Sequence, residues 1–319
     1  MRYLVTGGAG FVGSHLSKLL LDNGHEVTVV DDLSTGSKSN IGRLQPHNQL
    51  RFYVGSVLDQ ELMDSLIRDS DHIFHLAAAV GVFTIVNKPI ESLRTNIRGS
   101  EVVTELCQKY SKPLLVTSTS EIYGKNTQAS LTEDADRVLG SPLVSRWTYS
   151  EAKAIEEMMA FSLYAQHGIP ARIVRLFNTV GPGQSGDFGM VIPRFIRAAI
   201  DDAPIQVFGD GSQTRCFGHV LDVVEAIYLV SQSEATIGEV VNIGNPNEVS
   251  ILELAKQIIE MLNSKSEIVF IPYQDAYSSG FEDMLRRVPN IDKINRLTGW
   301  CPSRSLNQVI IDSAAAFVK

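Results

Sequence analysis

Tyr149 and Lys153 stand four positions apart in a stretch whose apolar spacing predicts a helix from Tyr149 to His167, so both side chains share one face. A phenol with an ordinary pKa near 10 is a poor base. An ammonium beside it favours the phenolate, which can take a proton from an alcohol while hydride leaves the carbon. Hydroxyls that could hold the same alcohol oxygen follow the apolar run Leu114-Val116, as Ser118-Thr119-Ser120, with the carboxylate of Glu121 next. Tyr-x-x-x-Lys is frequent by chance on ordinary surface helices. Its chemical reading therefore depends on a partner that accepts hydride.

That partner is implied at the start of the chain. Val5-Thr6-Gly7-Gly8-Ala9-Gly10-Phe11-Val12-Gly13 spaces glycines as G-x-x-G-x-x-G between a strand and an amphipathic helix reaching about Asn23. The order supplies a tight turn, backbone able to touch a pyrophosphate, and a helix N-terminus that favours an anion. Gly7, Gly10, Phe11, Val12 and Gly13 are the expected contacts. The second strand ends in Val29-Val30-Asp31, where a carboxylate can bind a ribose diol and would repel a 2′-phosphate. With no arginine near Asp31 in sequence to compensate, NAD is favoured over NADP; Asp32 is the weaker candidate for this role.

The elements needed to position these groups are legible. Apolar runs of strand length recur at Tyr3-Val5, Val27-Val30, Phe52-Val54, Ile73-Leu76, Leu114-Val116 and Ile173-Leu176, with helical patterns in most of the intervals. They lack in/out alternation, as parallel strands covered on both faces do. The expected fold is α/β: a Rossmann-type, doubly wound parallel sheet over 1–176, with a return segment near 213–242, and a smaller C-terminal substrate-binding lobe over 177–319. Gly181-Pro182-Gly183, Gly209-Asp210-Gly211 and Asn245-Pro246-Asn247 mark the loops of that lobe.

Composition narrows the classes. The 319 residues are 44% hydrophobic and 20% charged, which excludes disorder, collagen and long coiled coils. A net charge of −8 disfavours nucleic acid and anionic membranes as partners, so an anionic ligand needs local cations. Cys107, Cys216 and Cys301 are odd in number and widely spaced, as expected in the reducing cytoplasm. No apolar run is long enough to cross a bilayer. No metal site is expected: His72 and His75 are three apart in a strand and face opposite sides, and His219 is read as packed.

The glycine motif, the Ser/Thr site and Tyr-x-x-x-Lys, taken in order, resemble the extended short-chain dehydrogenase/reductase superfamily over essentially the whole chain, within it the NAD-dependent nucleotide-sugar epimerases and dehydratases. The resemblance implies Tyr149 as acid/base, Lys153 as ligand of the nicotinamide ribose, and Thr119 with neighbouring Ser120 on the substrate oxygen. Sugar 4,6-dehydratases of the family have Asp-Glu where this chain has Ser120-Glu121, whereas UDP-glucuronate decarboxylases have Ser-Glu. Arg146-Trp147-Thr148-Tyr149, Gly244-Asn245-Pro246, and Gly280-Phe281-Glu282-Asp283 followed by Arg286-Arg287-Val288-Pro289 are similar to the subgroup containing UDP-apiose/xylose synthase.

From the same resemblance, Asn178 contacts a nucleotide diphosphate, Phe208 lies near the base, Arg215 meets the diphosphate, and Arg146, Arg286 and Arg287 belong to the sugar site, Arg287 near a carboxylate. It implies a UDP-sugar substrate, NAD as cofactor and a homodimer built on helices Ile90-Tyr110 and Tyr149-His167. The expected reaction is decarboxylation of UDP-glucuronate to UDP-xylose or a 4-keto pentose, with Glu121 supplying a proton at C5. The alternatives are a UDP-sugar 4-epimerase and, more remotely, an NAD-sensing regulator.

Overall fold

The computed structural model describes residues 1–44, 47–79, 89–144, 147–186, 190–272 and 286–317. In chain order the elements of the first half are β1 (Arg2–Thr6), α1 (Phe11–Asp22), β2 (Glu26–Asp31), α2 (Lys38–Gly42), β3 (Leu50–Val54), α3 (Gln60–Arg68), β4 (His72–His75), α4 (Pro89–Tyr110) and β5 (Leu114–Thr119). A 3-10 turn, Ser120–Tyr123, leaves β5, and α5 (Thr148–His167) and β6 (Ala171–Leu176) follow. The remainder comprises β7 (Thr179–Val180), α6 (Val191–Ile200), β8 (Ile205–Phe208), β9 (Thr214–Cys216), β10 (Gly218–His219), α7 (Val220–Gln232), β11 (Val240–Ile243), β12 (Glu248–Ser250), α8 (Ile251–Met261), β13 (Ile268–Ile271), α9 (Asp292–Thr298) and α10 (Leu306–Phe317).

Seven strands form one all-parallel sheet in the order β11-β6-β5-β4-β1-β2-β3. Alternation along each strand divides its side chains between two helical layers. Tyr3, Val5, Val27 and Val29 join Leu16 and Leu20 of α1 and Val223 and Ile227 of α7. Leu4, Val30, Ile73 and Leu114 face the other way, onto Met63 of α3, Val103 of α4 and Ala160 and Leu163 of α5. Each Leu, Ile or Val side chain so buried contributes about 1.5–3 kcal/mol, which explains why both faces of the strands are apolar. The sequence runs in opposite directions across the sheet on either side of β1, so β1 and β4 flank the switch point where a crevice opens beyond their carboxyl ends.

A third core joins Ile192, Phe195 and Ile196 of α6, Leu254 and Ile258 of α8, and Val309 and Ile310 of α10. Helix α8 is started by a full capping box, Ser250 with Glu253. The small two-stranded pairs β8–β13, β9–β12 and β7–β10 surround this cluster. Asp222 in the first turn of α7 accepts from the Ser303 and Arg304 backbone and joins the Arg304 guanidinium, tying the loop before α10 to the main sheet's own helix.

His72 stacks against Tyr3 and Phe74 on one face of β4. His75 lies on the other, with Nδ1 2.8 Å from Thr6 Oγ1 and Nε2 3.2 Å from Ser100 Oγ. Burial lowers both imidazoles to a pKa of about 3, so they are neutral near pH 7. His219 caps α7 by accepting from Leu221 N–H, and its other nitrogen is 3.2 Å from Asp312.

Candidate active site

A cavity of about 700 Å³ runs from the Gly7–Gly13 turn, past the ends of β5 and β6, to Phe208 and Arg215 beneath the third core. At one end, the turn after β1 demands glycine for steric reasons. Gly7 has φ +70°, and a Cβ there would stand 2.7 Å from Ala77 N, beyond the end of β4; a Cβ on Gly13 would collide with the Gly7 carbonyl oxygen. Gly10 precedes α1 without a side-chain cap, and the first turn carries no acid, in contrast to α8. A helix start with N–H groups left to a ligand, held against backbone too close for side chains, suits a pyrophosphate. Gly10, Phe11, Val12 and Gly13 line the cavity there.

Asp31, the last residue of β2, closes the same end. Its carboxylate accepts from Ala9 N–H at 2.9 Å and Leu33 N–H at 2.8 Å, leaving lone pairs for a diol. Burial pushes its pKa up, and these N–H bonds partly offset the rise. Asp32 is exposed and occupied with Ser34 N–H. Arg43, just past α2, also lines the cavity, its Nη1 3.0 Å from where a Cβ on Gly183 would stand.

In the middle of the cavity, α5 presents Tyr149 and Lys153 beside Thr119, Ser120 and Glu121 at the end of β5. Lys153 is 1% exposed and donates to Thr117 O at 2.8 Å and Glu156 Oε2 at 2.7 Å. The Thr119 hydroxyl caps the 3-10 turn by accepting from Glu121 N–H at 3.2 Å. Ser118 Oγ is buried without a hydrogen-bond partner among the described residues. Removal from water pushes the Tyr149 phenol upward, and the nearby carboxylates of Glu156 and Glu121 push it further.

Glu121 meets Arg287, Oε1 to Nη1 at 3.0 Å, and the same Nη1 lies 3.4 Å from Ser120 Oγ. Two networks hold this pair in register. Val288 and Asn290, just after the arginine, pair with the Leu131 backbone around an isolated bridge between Leu131 and Pro289. Below the turn, Arg175 on β6 forms a two-pronged ion pair with Glu157 of α5, at 2.9 and 2.8 Å, and donates to Tyr123 OH at 3.0 Å, which donates to Asn242 of β11. The 3-10 segment carrying Ser120 and Glu121 is thereby pinned to two strands and a helix.

At the far end, Asn178, Phe208 and Arg215 line the cavity. Asn178 donates to Cys216 O at 3.1 Å and Arg215 to Thr214 O at 2.8 Å. Arg194 of α6 holds its guanidinium over the Phe208 ring, 4.2 Å from its centre, a cation–π contact that the sequence reading overlooked; the only local signal was an arginine on an amphipathic helix. Arg286 stands outside this arrangement, in an exposed ion pair with Glu248 at 2.8 Å and donating to Ala129 O, because its side chain points away from that of Arg287. Arg146 and Gly280-Phe281-Glu282-Asp283 lie outside the described residues. Among the described residues no metal-binding cluster of His, Cys, Asp and Glu occurs, and no helix is long and apolar enough to cross a membrane.

Comparison with known proteins places these features among relatives. Residues 3–244 match the NAD dependent epimerase/dehydratase family. The chain is 40% identical over 308 residues to a UDP-N-acetyl-alpha-D-glucosaminuronate decarboxylase of Bacillus cytotoxicus, covering 96% of this chain and 94% of the other. It is 37% identical to UDP-glucuronic acid decarboxylase 1 of Danio rerio, covering 94% and 69%. Among solved structures, the UDP-glucuronic acid 4-epimerase of Bacillus cereus, in complex with UDP-glucuronic acid and NAD, superposes with a TM-score of 0.89 at 27% identity, covering 100% of this chain and 99% of that one.

Proposed function

The chain belongs to the NAD-dependent epimerase/dehydratase family, and from that premise we propose that it decarboxylates a UDP-hexuronate by way of C4 oxidation, converting UDP-glucuronate to UDP-xylose or a UDP-4-keto pentose. It is an enzyme and its cofactor is NAD. Bound NAD supplies the acceptor for the C4 hydrogen. Gly7, Gly10, Phe11, Val12 and Gly13 would hold its pyrophosphate end, Asp31 a ribose diol, and Lys153 the nicotinamide ribose.

Tyr149 takes the C4 hydroxyl proton, with Thr119 and Ser120 donating to the same oxygen. The resulting ketone stands β to the C6 carboxylate. The C5–C6 bond breaks, CO2 leaves, and the electron pair passes through C5 to the former ketone oxygen as an enolate. Glu121, directly or through water, returns a proton to C5. Arg287 bears on that role, because it pairs with Glu121 at 3.0 Å and a uronate carboxylate would compete for the same guanidinium. Arg287 must orient more than clamp, because tight binding of the departing carboxylate would oppose its loss. Asn178, Arg215 and the Arg194–Phe208 pair are assigned to the diphosphate and the base.

The observation that carries this reading is the Glu121–Arg287 pair in the same cavity as Tyr149 and Lys153, since a 4-epimerase needs no proton donor at C5. The relatives at 40% and 37% identity, both decarboxylases by name, support it, and the first brings UDP-N-acetylglucosaminuronate in as a second substrate to test. A homodimer is part of the reading, supported by the exposed Met158, Phe161 and Tyr164 along α5, and so is a cytoplasmic location, supported by three unpaired cysteines. The test incubates the protein and NAD with UDP-glucuronate, UDP-N-acetylglucosaminuronate and UDP-glucose and weighs the products. Loss of CO2 from a uronate is expected; inversion at C4 without CO2 release would overturn the decarboxylase in favour of an epimerase.

A further inference from the structure

Behind the Tyr149–Lys153 couple sits a buried acid that the reaction above does not use. Glu156 is one turn after Lys153 on α5, its side chain and that of Lys153 each 1% exposed, with 2.7 Å between Nζ and Oε2. Burial pushes the Glu156 carboxyl up and the Lys153 ammonium pulls it back down, so the pair must be weighed as a unit. The groups facing Glu156 can be named from each element around it. On β4, His75 has Nε2 4.0 Å from Oε1, but burial keeps the ring neutral, so it contributes no charge. On α4, Ser100 is uncharged; its hydroxyl lies 2.7 Å from Asn96 O and also contacts the Glu156 carboxyl. On α5 itself, Glu157 is committed to Arg175, and Tyr149 is repelled by the Glu156 charge. Lys153 is the one cation in contact with Glu156 among the described residues.

An ammonium has three N–H donors. Thr117 O and Glu156 take two of them, at 2.8 and 2.7 Å, and Lys153 also lines the cavity, so one donor is left for whatever occupies it. We infer that Glu156 is a positioning residue: held 2.7 Å from Nζ, it locks Lys153 so that a single N–H serves the cofactor ribose, and its carboxylate sets how much of the ammonium's charge reaches Tyr149. The inference rests on Tyr149 as the proton acceptor and is independent of which sugar is used.

The first readout needs no sugar. With NAD saturating, tyrosinate absorbance is titrated in wild type and in Glu156→Gln, each measured against its Tyr149→Phe counterpart so that the other tyrosines cancel. Removing the carboxylate while keeping its size should raise the Tyr149 ionisation constant about tenfold or more, one pH unit downward, and the pH limb of kcat/KM should move with it. An unmoved titration in a folded Glu156→Gln protein overturns the inference, since a purely structural acid would change stability and leave the titration where it was. Glu156→Asp is the second variant: it keeps the charge but withdraws it by about 1.5 Å, one carbon–carbon bond. NAD affinity by calorimetry should then weaken several-fold, with the titration shifting less than in the glutamine variant; both at wild-type values would equally overturn it. Wild type that binds NAD and shows no difference from Tyr149→Phe in tyrosinate titration and turnover would instead remove Tyr149 as the acid/base.

Discussion

Glu121 and Arg287 lie 166 residues apart in the chain and meet at 3.0 Å inside the cavity, each side chain mostly hidden from water. The pair joins the end of a sheet strand to a segment that reaches it from beyond the third core. On the proposed mechanism it joins the proton donor to the carboxylate receptor, and the most discriminating prediction concerns it.

Glu121→Gln preserves size and loses the transferable proton. Oxidation at C4 should persist, seen as reduced-cofactor absorbance building up with UDP-glucuronate, while CO2-linked product formation falls by about 100-fold or more, the scale of general acid–base effects. A variant that forms UDP-pentose at near wild-type rate would exclude Glu121 from the proton transfer.

Tyr149→Phe should bind NAD with little change and turn over no sugar, because the acceptor of the C4 proton is gone while the glycine turn and Asp31 are untouched. Calorimetry and product analysis check the two halves separately; retained turnover would exclude the phenol.

Asp31→Asn should narrow the preference for NAD over NADP by 10-fold or more, about 1.4 kcal/mol or more, since it removes the repelling charge at the end of β2. Dissociation constants for both cofactors measure it. An unchanged ratio would mean that Asp31 does not set the preference.

Arg175→Met breaks the buried pair with Glu157 and frees the turn that carries Ser120 and Glu121. A loss of about 3–5 kcal/mol in urea denaturation is expected, because a charge is left buried alone. Arg175→Met combined with Glu157→Gln should recover part of it, and no recovery would show that the pair is not what holds the turn.

Acid should destabilise the fold through His72. Its folded pKa is about 3 against about 6.5 unfolded, so the unfolded chain binds the proton first as pH falls. Stability from this group is fully present above the unfolded value and drops by about 1.4 kcal/mol per pH unit from there down toward pH 3. His72→Phe, which keeps the stack on Tyr3 and Phe74, should flatten that slope in denaturation curves from pH 7 to pH 5; an unchanged slope would refute it.

Much of this protein was legible from local pattern. Period and punctuation marked the first six strands of the sheet, because a strand covered on both faces must be a short apolar run wherever it occurs. The Gly7–Gly13 turn, Asp31 and the Tyr149–Lys153 spacing were equally legible, since each is a local requirement: a turn too tight for side chains, a carboxylate at a strand end, two residues on one helix face. Tertiary structure decided what depends on distance through space. It separated neighbouring Arg286 and Arg287, sending one to Glu248 and the other to Glu121, and it brought Arg43 into the wall of the cavity. It laid Arg194 over Phe208 and set Glu156 against Lys153 in a site where no other contacting cation answers it among the described residues. Charge interactions depend on separation and burial, and neither is a property of spacing along the chain; sequence therefore named the chemical groups, and only packing determined which of them share a charge.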